Sequence, residues 1–217
     1  MPQGAASAPG HGLLVAFEGI DGSGKSTAVR HVAAALERRG FPVVATREET
    51  SGPTGEWVRR SIAERWDPVA TAFLFAADRA RHTQELRAWL AQGKVVLCDR
   101  YIHSTLAYQG VTLRGHVPDP AAFLQRMHEG WAILPDHVLL FRADAARSVE
   151  RTERRGSTTP YEKVAFLAEV QKGYDTLAAT DARVTPIDAE RPIGELCRDA
   201  EEHVLRWAAA RGIRGAS

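Results

Sequence analysis

LLVAFEGIDGSGKSTAVRHVAAALERRG, residues 13–40, sets an unbroken apolar run against a glycine-rich loop, and the loop against a helical pattern. LLVAFE (13–18) reads as a short buried strand that ends in the loop. From Lys25 to Arg39 the apolar residues Val29, Val32, Ala33 and Leu36 follow helical spacing, and Gly40 closes the pattern. Between them, Gly19, Gly24, Lys25 and Ser26 satisfy G-x-x-x-x-G-K-[ST], in the strand-to-helix context that this motif requires. The chemistry follows from the residue types. Glycines let backbone N–H groups turn inward on phosphate oxygens, and the helix start adds partial positive charge. Lys25 bridges the outer phosphates, and the Ser26 hydroxyl is suited to Mg²⁺. Asp21, Gly22, Ser23 and Thr27 complete a loop built to wrap a triphosphate such as ATP.

Outward from this unit, strand-like runs alternate with longer helical ones. FPVVATR (41–47) reads as a second strand, VVLCD (95–99) as a third, HVLLF (137–141) as a fourth and RVTPID (183–188) as a fifth. Helices are expected near 55–64, from Pro68 to about Gln92, near 102–109 and 119–131, from an Asp144 cap to Arg155, from Tyr161 to Ala179, and over 192–210. Such alternation predicts an α/β fold in which a five-stranded parallel sheet is flanked by helices. RRGSTTP (154–160) reads as a surface loop, part of a short lid over about 151–162. The expected organisation is a leader over 1–12, without fixed structure, and one domain over 13–212.

Composition limits the function classes. Lys and Arg number 28 against 27 Asp and Glu, so no global positive field argues for nucleic acid, and any basic site must be local. No run is long enough to span a bilayer, and MPQGAASAPGHG lacks the apolar core of a signal peptide. Cys98 and Cys197 have no metal-type spacing and fall in apolar patterns, which suits reduced, buried thiols and a cytoplasmic protein.

The loop alone does not say where the phosphate goes. A GTPase would carry a later N-K-x-D, which is absent, and a motor ATPase usually ends its Walker B strand in an acidic pair. Here VVLCD ends in Asp99, followed at once by Arg100 and Tyr101. Transfer to a second phosphate brings two anions together and calls for fixed cations, with Arg favoured for its bidentate fork. Arg47, Arg79 and Arg100 fall where that demand is met: past the second strand, within the long helix, and past the third strand.

AFEGIDGSGKST, ATREETSGPTGEWVR, FLFAADRARH, VVLCDRYIHSTLAYQG and the region around RTERRGSTTPYEK stand in the order and spacing of thymidylate kinases. The resemblance covers about 13–190, and its most specific piece is DRY followed by ST and AYQG. It implies the fold of the P-loop nucleoside monophosphate kinases, with ATP as donor, Mg²⁺ as cofactor and dTMP as acceptor. Phe75 matches the aromatic that stacks on thymine, and Arg79 the arginine that bonds the base. Arg47 and Arg100 match the holders of the acceptor phosphate, and Asp99 the acid near Mg²⁺. Ser104, Thr105, Tyr108 and Gln109 match positions around base and deoxyribose, where the tyrosine crowds out a 2′-hydroxyl. Asp21 matches a carboxylate that contacts the acceptor sugar or the metal.

Thymidylate kinases divide by whether the glycine-rich loop carries a catalytic Arg. This loop has none, so the resemblance places that charge in the lid, on Arg151, Arg154 or Arg155. Two positions depart from the family pattern. Glu49 replaces a usual proline, and Thr159 replaces an acid three residues before Glu162, a further candidate metal ligand. The resemblance also implies a homodimer of packed long helices; Trp89 and Trp131 are compatible with such a surface and equally with the core. Two other readings compete: a deoxynucleoside kinase using Glu48 or Glu49 as base for a 5′-hydroxyl, and a non-catalytic nucleotide-binding regulator.

Overall fold

The computed structural model describes residues 12–153 and 164–216. In chain order these form β1 (Leu13–Glu18), α1 (Lys25–Arg38), β2 (Val43–Arg47), α2 (Pro53–Ala63), α3 (Pro68–Ala91), β3 (Val95–Asp99), α4 (Ile102–Thr112), α5 (Pro120–His128), β4 (His137–Arg142), α6 (Ala145–Glu153), α7 (Val164–Thr180), β5 (Val184–Asp188) and α8 (Ile193–Ala210). The five strands make one sheet in the order β2-β3-β1-β4-β5, and every pairing is parallel.

β1 lies at the centre, and all six of its residues are buried. Its side chains alternate between two cores, as a pleated strand requires. Leu13, Val15 and Phe17 join Val29, Val32 and Leu36 of α1, while Leu14 and Ala16 join Leu86 of α3 and Tyr101. Burial on both faces explains the unbroken apolar run. The chain leaves β1 toward β2 on one side and leaves β3 toward β4 on the other. Between such diverging connections a crevice opens at the carboxyl ends of the strands. Register aligns Phe17 of β1 with Asp99 of β3, and Asp99 with Arg47 of β2, at that end.

Element boundaries differ in a few places. β2 starts at Val43 because the Phe41 N–H closes α1 on the Leu36 carbonyl. α5 stops at His128, where Glu129 turns extended and Gly130 takes a positive φ. The Asp144 cap is present, its Oδ1 accepting from the Arg147 N–H at 2.9 Å. Packing continues past residue 212: Ile213 belongs to the main core, and the Ala216 N–H donates to the Gly40 carbonyl. Both cysteines are free and buried. Among the described residues no helix is long and apolar enough to cross a membrane.

Candidate active site

The loop between β1 and α1 lies at the crevice. Its local geometry depends on glycine: at Gly22 φ is +80°, and a Cβ there would stand 2.4 Å from the Ser148 carbonyl oxygen of α6. Lys25 opens α1 and is 4% exposed. Its Nζ donates to the Ile20 carbonyl at 3.1 Å and lies 4.0 Å from Asp21 Oδ1. Burial, with Arg100 nearby, brings its pKa down to about 8 against the pull of the Asp21 and Asp99 carboxylates. Lys25 and Ser26 begin the helix, where backbone N–H groups have no intrahelical acceptor and are open to an anion.

Arg100 faces this loop from the end of β3. Its Nη1 donates to the Gly19 carbonyl at 3.2 Å and to Ser104 Oγ at 3.1 Å; its Nη2 donates to Asp21 Oδ1 at 2.5 Å and to the Tyr108 hydroxyl at 3.1 Å. The Tyr108 hydroxyl accepts the Asp21 N–H and donates to Asp21 Oδ2, each at 3.2 Å. Burial alone would raise the Asp21 pKa, but the charges of Arg100 and Lys25 and these hydrogen bonds hold it at about 2. Burial pushes Tyr108 well up, so its phenol keeps its proton. Arg100 has φ +67°, a left-handed conformation that costs a non-glycine residue about 1–3 kcal/mol.

Beneath Arg100 lies Glu18, fully buried at the end of β1. Its Oε1 accepts the Tyr101 N–H at 2.9 Å, and its Oε2 accepts Ser104 Oγ at 2.5 Å and the Tyr174 hydroxyl of α7 at 3.1 Å.

A second buried cluster lies farther along the crevice, built by α3 and α4. Arg79 Nε and Nη2 donate to Glu48 Oε2 at 2.9 and 2.5 Å, Nη2 also donates to Thr105 Oγ1, and Nη1 donates to His128 Nε2 at 2.8 Å. One N–H of Nη1 is left without an acceptor among the described residues. His128 must accept from Arg79, so its proton sits on Nδ1 and is donated to the Leu124 carbonyl. Burial, with the Arg79 charge beside it, brings this histidine down to about 4. His82 Nδ1 donates to Glu48 Oε1 at 3.0 Å. Both oxygens of Glu48 are therefore occupied, which removes it as an accessible base. Asp78 binds Thr50 and Thr54 and fixes the segment after β2.

α4 links the two clusters, because Ser104 and Tyr108 reach Arg100 while Thr105 reaches Arg79. Gln109 is buried on the same helix, and Phe75 is half-buried one turn before Arg79. Two arginines expected nearby behave otherwise. Arg47 is exposed and lies 3.5 Å from Glu49, across a Glu48–Glu49 peptide that is cis. Arg151 is held by Glu190 and Ser148. Arg154 and Arg155 lie outside the described residues, as do Thr159 and Glu162.

Asp99 Oδ1, at the end of β3, and Ser23 Oγ, in the glycine-rich loop, are buried without a hydrogen-bond partner among the described residues. Buried polar atoms normally find a partner. An orphaned carboxylate oxygen suits a hard divalent cation with oxygen ligands. Sequence reasoning gave no role to Glu18, His82, His128, Tyr174 or Glu190. The one available signal was Glu18, a charged residue ending a buried strand.

A family model described as "Thymidylate kinase" matches residues 17–200. A "Probable thymidylate kinase" of Methanosarcina mazei is 41% identical over 199 residues, covering 90% of this chain and 97% of the relative. One of Methanospirillum hungatei is 42% identical over 198 residues, covering 90% and 91%. One of Natronomonas pharaonis is 38% identical over 195 residues, covering 88% and 97%. A model spanning most of the chain, with relatives matched nearly end to end, makes this chain a member of the thymidylate kinase family.

Proposed function

We propose that this protein transfers the γ-phosphoryl group of ATP to dTMP, giving dTDP and ADP. The observation that carries the reading is Arg100, a fixed guanidinium facing the triphosphate loop; of the two candidate bases, Glu48 has both oxygens occupied and Glu49 lies 3.5 Å from Arg47. A 5′-hydroxyl acceptor needs a free carboxylate base. An acceptor phosphate is already an oxyanion and needs cations instead.

On this reading Lys25 and the α1 N-terminus hold the donor phosphates, and Arg100 aligns the acceptor phosphate. Phe75 stacks on the base, the spare Arg79 N–H meets its carbonyl oxygen, and Thr105 and Gln109 line the pocket. Tyr108, held by Asp21, leaves no room for a 2′-hydroxyl. Ser26 and Asp99 hold Mg²⁺, with Glu162 a further candidate. The cation, when bound, offsets charge on the donor phosphates. The loop has no arginine, so the remaining transition-state charge comes from Arg151, Arg154 or Arg155. Arg151 must then leave Glu190, and Arg47 must leave Glu49.

The protein is further proposed to be a homodimer. Trp89 and Trp131 are only half exposed and pack on His82 and His128, so the interface falls to Trp57, Trp66 and Phe73, which are 37–55% exposed around α2 and α3. Sedimentation of the native chain should show two copies, and Phe73→Asp should shift it toward one.

ADP release measured with dTMP, dUMP, dCMP and thymidine tests the reaction. Turnover with dTMP and none with thymidine is the expected pattern. Turnover with thymidine alone supports the nucleoside kinase, and none with any of the four supports the regulatory reading.

A further inference from the structure

We infer that Glu18 is the positioning residue that sets Arg100 for the acceptor phosphate. The inference rests on the reading of Arg100 as the ligand of that phosphate. Arg100 is held in a left-handed backbone conformation that persists only where its surroundings over-determine it. On its N-terminal side the Arg100 N–H is tied to the Phe17 carbonyl at 2.9 Å. On its C-terminal side the next N–H, of Tyr101, is tied to Glu18 Oε1 at 2.9 Å. β1 thus clamps the strained residue from both sides, and the second clamp is a side chain.

Glu18 also acts on the guanidinium. Ser104 has one hydroxyl proton and donates it to Glu18 Oε2 at 2.5 Å. Its lone pairs are then free to accept from Arg100 Nη1 at 3.1 Å. An ionised carboxylate only accepts, so it fixes the direction of this relay. Tyr174, 2.8 Å from Ser104 Oγ, closes the network from α7.

Glu18 is 0% exposed; the charges of Lys25 and Arg79 reach it, but no Lys or Arg hydrogen-bonds to it among the described residues. A buried carboxylate with no cation in direct contact is a costly way to build a core. Placing one here makes sense as a trade of stability for the aim of Arg100.

Glu18→Gln keeps the shape and brings an amide donor up to two hydroxyls that both need acceptors. Either Ser104 turns its proton toward Arg100, or the Tyr174 hydroxyl loses its acceptor. The expected result is a fall in kcat/KM for dTMP of about 10–100-fold, the scale of a roughly 1 Å misplacement. KM for ATP should stay within about twofold, and Tm should be unchanged or higher. In an Arg100→Ala background, assayed at high enzyme concentration, Glu18→Gln should cause no further loss. Ser104→Ala breaks the relay from its other end, and its loss should likewise be non-additive with that of Glu18→Gln.

An equal fold-loss from Glu18→Gln in both backgrounds overturns the inference. So does a loss that follows a drop in Tm together with a weaker ATP KM. Arg100→Ala with unchanged dTMP kinetics would refute the Arg100 assignment itself, and the inference with it, whatever Glu18→Gln does.

Discussion

Arg100 is gripped by four oxygens, two from the glycine-rich loop and two from α4, so its charge is aimed before any acceptor arrives. Arg100→Ala should lower transfer to dTMP by at least about 100-fold, the scale of losing an aimed charge at a developing anion. ATP binding by the same variant should remain measurable by calorimetry. Lys25 gives a second test at this scale. Its pKa of about 8 in the free protein should rise when triphosphate charge surrounds it, so binding ATP must take up a proton. At pH 8 the uptake should be about half a proton, read as a dependence of binding enthalpy on buffer ionisation, and at pH 6.5 it should vanish. No buffer dependence at pH 8 would mean that Lys25 is already charged there.

On the proposed reading, α2, α3 and α4 carry the acceptor half of the crevice. α2 meets the segment after β2 at Gly55, where a Cβ would stand 2.0 Å from the Thr50 carbonyl oxygen. That segment is bound to Asp78 of α3, next to Arg79. Gly55→Ala should therefore displace it, at a cost of about 1–3 kcal/mol of stability. The kinetic signature should be a raised KM for dTMP with KM for ATP unchanged; a rise in both would show wider damage. Much at this scale was legible in the sequence. Period and punctuation marked the strand–loop–helix unit and every later element, because helices and buried strands leave different spacings of apolar residues. The misjudged ends, Phe41 and the stretch after His128, are set by single backbone bonds and torsions that leave no pattern.

For the whole molecule, the sheet order brings Glu18, Arg100 and Tyr174 together from three distant parts of the chain, and contacts of that kind have no local signature. The same holds for the Glu48, Arg79, His128 cluster, in which Glu48 looked like a candidate base and is a buried partner. Three histidines also bear on global stability. Burial holds His128 at about 4 and lowers His137 and His203 from their usual value near 6.5. The unfolded chain then binds more protons between those values, so stability is full above pH 6.5 and is lost as pH falls toward 4. Tm should be lower at pH 5 than at pH 7, and His128→Gln should narrow the difference; a flat Tm would refute this.

Labelled phosphate follows the destination of the phosphoryl group directly. With γ-labelled ATP and dTMP, label should appear in the β-phosphate of dTDP, one for each ADP formed. Label recovered as inorganic phosphate, or incorporated only when thymidine replaces dTMP, would contradict the proposed transfer.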